Sequence, residues 1–351
     1  MMENLGSRAG ASGDLGEALP KRCEYPDSKH RNRFIVGGVS VEISGDRSAD
    51  AMLVPPLALF WRESRAADVS VRVEWVAKLT EMPGRRLFDS GSTWRLYEDG
   101  AAGFQFDFST PILGKQTYKR MLVDAQFHRA TVKMNEECFA GTVYLEAPLA
   151  YPLDELLIMH RLTQERAIEL HGSGIVRANG VGNLFVGHSG AGKSTTTRLW
   201  TSREEVEVLS DDRIIVRQDE VRQDEVRQDE VRQDDVRYGD GRARPAGPVS
   251  PTGMRMYGTP WHGEAMFASP NSAPLSRIFV LEHGQGNVIT RLSRSEAVGE
   301  LFARAFVPFH RHEYIENALS FLEQLADSVP CYRYSFEPDQ RAVDRILRFN
   351  D

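Results

Sequence analysis

Residues 187–195 read GHSGAGKST, preceded by the apolar run Asn183-Leu184-Phe185-Val186 and followed by TTRLW. Gly187, Gly192, Lys193 and Ser194 fall at the spacing G-x-x-x-x-G-K-S, which a phosphate-binding loop needs between a strand and a helix. Glycine at 187, 190 and 192 lets the backbone bend around an anion without Cβ clashes. The N–H groups of Ser189, Gly190, Ala191, Gly192, Lys193 and Ser194, on into Thr195, would then converge on a β-phosphate, aided by the positive end of the next helix. Lys193 would reach the β and γ oxygens, and the Ser194 hydroxyl would face Mg²⁺.

A second set of chemical groups follows. VEVLS (206–210) reads as a buried strand and runs into Asp211-Asp212-Arg213. A strand beside the loop would deliver these carboxylates to the crevice where open α/β sheets bind ligands. One of the two can hold Mg²⁺ and the other can accept a proton from an attacking hydroxyl. Consecutive residues of an extended chain point to opposite sides, so the two do not share one role.

The elements that must position these groups are legible around them. IVRANGVGNLFVG (175–187) predicts a hairpin turning at Ala178-Asn179-Gly180, the loop follows, and a helix is expected over about 192–201. Strand, loop, helix, strand is the rhythm of an α/β nucleotide-binding domain. RIFVLEHG (277–284) and CYRYSFE (331–337) add strands. SEAVGELFARAF (295–306), HEYIENALSFLEQLAD (312–327) and PDQRAVDRILRF (338–349) carry helical patterns.

The front of the chain differs. FIVGGVSVEI, VSVRVEWVAKL, GSTWRLYEDG and GFQFDFST alternate apolar and polar residues, so residues 33–150 are expected to form a small β-rich domain. Phe104, Phe106 and Phe108 share one strand face and are expected in its core. Residues 1–32 are polar and read as a tail. Residues 151–170 predict a connecting helix with Pro152 at its start, Asp154 in its first turn and His160 as a surface or interface residue rather than a ligand. Residues 171–351 then form the loop-bearing domain. Within it the tandem unit VRQDE makes no stripe on a helix and flips faces along a strand. The segment 216–250 is therefore expected as an insertion at the tip of a hairpin formed by 211–216 and 254–259. That hairpin would bring Trp261, His262 and Glu264 beside the Asp pair, either to orient substrate or metal or only to pack. Phe309-His310-Arg311-His312 offers an anion or metal patch, but histidines with no third ligand read as surface residues.

Bulk properties exclude several classes. The 351 residues are 41% hydrophobic and 26% charged with a formal net charge of −7. These values suit a globular protein and give no nucleic-acid footprint. Three widely spaced cysteines, Cys23, Cys138 and Cys331, argue against a disulfide framework or a zinc site. The start has no secretory apolar segment, and no apolar run reaches membrane-span length. A soluble, cytoplasmic protein without nucleic-acid or membrane partners is expected.

His171-Gly172, GHSGAGKS and SDDR (210–213) together resemble the catalytic domain of HPr kinase/phosphorylase, which shares its fold with phosphoenolpyruvate carboxykinase. The resemblance covers roughly residues 168–350. It implies a P-loop, HPr-kinase-like α/β domain behind the β-rich one. It also implies an ATP- or GTP-dependent and Mg²⁺-dependent kinase acting on a serine-type hydroxyl of a protein, peptide or small molecule, in a chain that can self-assemble. Lys193 and Ser194 would hold phosphate and metal, Asp211 would be the metal-side carboxylate, Asp212 the general base, and His171 would sit by the γ-phosphate. Thr195 stands where HPr kinase has Glu, and YGTPWHGEA (257–265) replaces its later glycine-rich segment. Neither HPr as acceptor nor phosphorolysis is therefore carried over. A carboxykinase-like lyase and a non-catalytic nucleotide-binding module are the alternatives.

Overall fold

The computed structural model describes residues 29–63, 66–80, 84–100, 103–142, 146–218 and 253–349. The alternating front segments pair into one sheet: β1 (His30–Val36), β2 (Val39–Gly45), β3 (Val69–Val76), β4 (Arg86–Asp89), β5 (Trp94–Asp99), β6 (Gly103–Phe108), β7 (Lys119–Asp124) and β8 (Arg129–Asn135). Their order is β1-β2-β3-β8-β7-β6-β5-β4, with β3 parallel to both β2 and β8 and the other pairs antiparallel. Short helices α1 (Pro55–Ala58) and α2 (Glu136–Phe139) sit at its connections.

Phe104, Phe106 and Phe108 are buried in this sheet's core, as their shared face predicts. The polar alternates are buried too. Asp107 lies directly opposite Arg120 in the β6–β7 ladder. Arg120 Nε and Nη2 donate to its two carboxylate oxygens at 2.6 and 2.8 Å. A bidentate pair of this kind lets a charged residue occupy a covered face. What looks like a solvent face in the alternation is thus also enclosed.

Helix α3 (Leu153–Leu162) is shorter than the expected 151–170, and it is more than a spacer. Leu153, Leu156, Leu157, Ile158 and Leu162 join the core of the front sheet, where Ile215 and Trp261 from the second half also lie. His160, expected at the surface or in an interface, is 1% exposed, and its Nδ1–H donates to the Leu156 carbonyl at 2.6 Å. The tail expectation is corrected as well, because His30–Asn32 belong to β1. Residues 1–28 lie outside the described residues.

The second half contains β9 (Ala167–Arg177), β10 (Gly182–Val186), α4 (Lys193–Arg203), β11 (Val206–Ser210), β12 (Arg213–Gln218), β13 (Met254–Tyr257), β14 (Ser272–His283), β15 (Val288–Arg291), α5 (Arg294–Phe302), β16 (Ala305–Phe306), α6 (His312–Ser328), β17 (Cys331–Phe336) and α7 (Gln340–Leu347). The long strands β9 and β14 organise it. The first half of β9 pairs with β12 and β16, and its second half with β10 and β11. Strands β10, β14 and β17 run parallel. Alternation along β10 serves two cores. Phe185 packs with Trp200 of α4 and Val343 of α7, whereas Leu184 and Val186 pack with Leu301 of α5 and Leu322 of α6.

Among the described residues the chain is therefore mixed α/β, with two large mixed sheets and seven helices. The helical pattern over 295–306 stops at Phe302 and gives way to β16. Val216, the first valine of the repeat, is fully buried in β12 opposite Met256 of β13. The rest of the repeat, from 219 on, lies outside the described residues, so only the hairpin framing it is seen. No described helix is long and apolar enough to cross a membrane. Cys138 and Cys331 are free and buried.

Candidate functional site

The loop after β10 lies at the end of the parallel trio β10, β14 and β17. Gly190 and Gly192 hold φ of +81° and +96°, where a side chain is strained. A Cβ on Gly192 would stand 2.5 Å from Phe336 Cζ, and one on Gly187 would stand 2.7 Å from Ala191 Cβ. The glycines are thus needed for both conformation and space. Ala191 N–H closes the turn onto the His188 carbonyl at 3.0 Å, and Gly187 N–H donates to the His171 carbonyl at 3.3 Å. Among the described residues, the N–H groups of Ser189, Gly190, Gly192, Lys193, Ser194 and Thr195 find no protein acceptor. Lys193 folds back, donating from Nζ to the carbonyls of Gly187 and His188 at 3.1 Å each.

Across the crevice the two aspartates have separate surroundings. Asp211 is 1% exposed. Its Oδ1 accepts the N–H groups of Gly263 and Phe267 at 3.0 and 3.2 Å, and its Oδ2 accepts that of Ala265 at 2.8 Å. A carboxylate bonded by three amides anchors the 263–267 loop, and about one of its four lone-pair sites is left for the metal-side role expected of Asp211. Asp212 instead pairs with His171, whose Nε2 lies 3.0 Å from Oδ1, and with Arg213 through Oδ2. An ionised carboxylate only accepts, so Nε2 of His171 carries the proton.

Three strands assemble this group. His171 on β9 stands opposite Arg213 on β12, and Glu169, two residues earlier on the same face of β9, stands opposite Phe306 of β16. The Arg213 guanidinium lies 4.0 Å above the Phe306 ring, a desolvated cation–π contact. Arg213 Nε also donates to Glu155 of α3 at 2.8 Å. The His171 amide is held by the Arg304 carbonyl at 2.8 Å. Arg304 itself is buried against Glu300.

Electrostatics link the two sides. Burial holds the Lys193 ammonium below its usual range, while the charge of Asp212 opposes that shift and Arg213 and Arg304 reinforce it. Burial pushes Asp212 up, but the hydrogen bond from His171 and the charges of Arg213 and Lys193 outweigh it and leave the carboxyl below its ordinary value. Asp212 and Lys193 therefore feel each other across the crevice.

Other expected residues separate. His262 Nδ1 lies 3.2 Å from the Gly263 carbonyl, and Glu264 is exposed. The backbone of their loop, more than these side chains, meets the Asp pair. Trp261 reaches away and donates to Asp154 of α3 at 2.9 Å. The 309–312 stretch divides: His310 packs beside His160 and Tyr314, and exposed His312 pairs with Glu316. Sequence reasoning missed His283, whose Nε2 bonds the Gly190 carbonyl at 2.7 Å, and Phe336 beneath Gly192. Both end strands parallel to β10, and the same strand-end logic that singled out Asp211 would have found them. Glu155 and Glu169 carried no such signal.

Among the described residues, no group of three or more His, Cys, Asp or Glu side chains is arranged to hold a metal. Mg²⁺ needs fewer, because it usually binds one or two protein oxygens plus substrate phosphates and water. The half-buried Ser194 hydroxyl in the first turn of α4 and the Asp212 carboxylate supply oxygens of that kind. No protein-family model matches the chain, and a search of curated proteins returns no match.

Proposed function

We propose that the chain is a nucleotide-dependent phosphotransferase of the HPr-kinase-like type, with ATP as donor, GTP as the alternative, and a serine-type hydroxyl of a protein, peptide or small molecule as acceptor. One observation carries this reading: a run of unsatisfied N–H groups around a half-sequestered lysine, facing an aspartate held by a histidine and an arginine. Six amides without acceptors at a helix start form an anion cradle.

The β- and γ-phosphates would take those amides, and Lys193 would exchange its two carbonyl partners for phosphate oxygens. Mg²⁺ on the phosphates and the Ser194 hydroxyl, reaching Asp212 only through water, would neutralise charge there. Asp212 orients the acceptor hydroxyl and takes its proton as the acceptor oxygen bonds the γ-phosphorus and the bond to the β–γ bridging oxygen breaks, leaving a nucleoside diphosphate. A carboxylate below its usual range is a weak base in the free protein. Phosphate charge brought against Lys193 raises its proton affinity, so Asp212 is best able to accept a proton once nucleotide is bound. His171 orients Asp212, and Asp211 holds the 263–267 loop in place.

The deciding experiment is transfer of labelled γ-phosphate from ATP to a lysate or to the peptide encoded by a neighbouring gene. Label on a serine with wild type but not with Asp212→Asn supports the kinase. Oxaloacetate-dependent nucleotide consumption would favour the lyase, and nucleotide binding without turnover on any acceptor would favour a binding module.

A further inference from the structure

Behind Asp212 lies a charge imbalance. The single guanidinium of Arg213 stands among three carboxylates. It hydrogen-bonds Glu155 at 2.8 Å and Asp212, while Glu169 Oε1 lies 3.4 Å from Nε with no hydrogen bond. The neighbours of the Glu169 oxygens are the Arg213 guanidinium, without a hydrogen bond, and the Glu155 carboxyl, and the side chain is fully buried. A buried carboxylate that shares one cation with two others is costly to ionise, and the neutral acid avoids that cost and can donate to Glu155.

The groups facing Glu169 come from every element around it. Asp154 and Glu155 belong to α3, Tyr151 to the turn before it and Arg213 to β12, with Asp212 reached through Arg213 and His171 two residues further along β9. Phe306 of β16 brings no charge. Glu165, Thr163 and Asn317 line, together with Glu169, a cavity of about 10 Å³, room for about one water. Burial and the neighbouring Glu155 charge both push Glu169 well above the usual carboxyl range, and Arg213 opposes them.

We propose that Glu169 is a positioning residue for the phosphotransfer site: it carries a proton at neutral pH, and this leaves Arg213 free to hold Asp212 towards Lys193. Deprotonation would place a second full charge beside Arg213 Nε and draw the guanidinium away from Asp212. This deepens the kinase reading and rests on it for the activity measurement, but not for the protonation state.

The test uses Glu169→Gln, which mimics the neutral acid. In the infrared difference spectrum of wild type minus variant at pH 7.5, the carbonyl stretch of a protonated carboxylic acid should appear. Its absence overturns the protonation of Glu169 whether or not the protein is a kinase. In nucleotide turnover, wild type should decline at alkaline pH as Glu169 loses its proton, and Glu169→Gln should keep kcat at pH 7 within about twofold and lose that decline. Identical pH profiles for the two proteins overturn the positioning role. A wild type that binds nucleotide but turns over no ATP at any pH overturns the kinase reading and, with it, the positioning role, while the infrared band still decides the proton.

Discussion

Asp211 and Asp212 are consecutive, yet the carboxylate of Asp211 is tied by three amides of the 263–267 loop while that of Asp212 meets His171 3.0 Å away. The two should therefore fail differently. Asp211→Asn removes charge-assisted bonds made by a buried carboxylate and should lower unfolding free energy by about 2–4 kcal/mol. Asp212→Asn should change stability by less than about 1 kcal/mol and cut turnover by ~10²–10⁴. Urea midpoints and labelled-phosphate transfer, measured on both variants, check the division.

Lys193 is the only loop side chain expected to touch phosphate, so Lys193→Ala should leave the far-UV circular dichroism unchanged and remove nucleotide turnover. Normal turnover in that variant would place catalysis elsewhere.

Gly190 and Gly192 separate conformation from space. Both have positive φ, but an added Cβ at 190 meets nothing within 4 Å, whereas one at 192 meets Phe336. Gly190→Ala should weaken nucleotide binding by about 1–2 kcal/mol, the cost of a left-handed alanine. Gly192→Ala should cost more, and pairing it with Phe336→Leu should recover only the excess. Titration calorimetry with ATP and Mg²⁺ reads both.

Two buried groups should give stability opposite pH slopes. Burial pushes the His160 imidazole down to about 3, against about 6.5 unfolded. Between those values the unfolded chain binds the extra proton, so this contribution is present above about pH 6.5 and is lost as pH falls. Burial pushes Asp154 up to about 7, so its contribution is present below about pH 4 and is lost as pH rises towards 7. Relative to wild type, His160→Asn should gain and Asp154→Asn should lose about 1.4 kcal/mol per unit as pH falls from 6 to 5. Denaturation at several pH values checks each sign.

The local features of the site were legible in the order of residues. Glycine spacing, the apolar run before the loop, the hairpin at Asn179-Gly180 and the aromatic alternation of 104–108 all depend on neighbours a few positions apart. Backbone stereochemistry and strand periodicity therefore determine them. The long-range relations were hidden. The alternation of β6 set Asp107 on the face away from the three phenylalanines, and only its register with Arg120 shows what it meets there.

His160 read as either a surface or an interface residue because one helix carries no record of what packs on it, and Phe127, His310 and Tyr314 come from elsewhere in the chain. The sequence by itself determined a glycine-spaced loop between a strand and a helix and an acidic pair at a strand end. Tertiary structure alone decided which aspartate is open to chemistry, because that depends on which amides and cations from remote segments reach each carboxylate first.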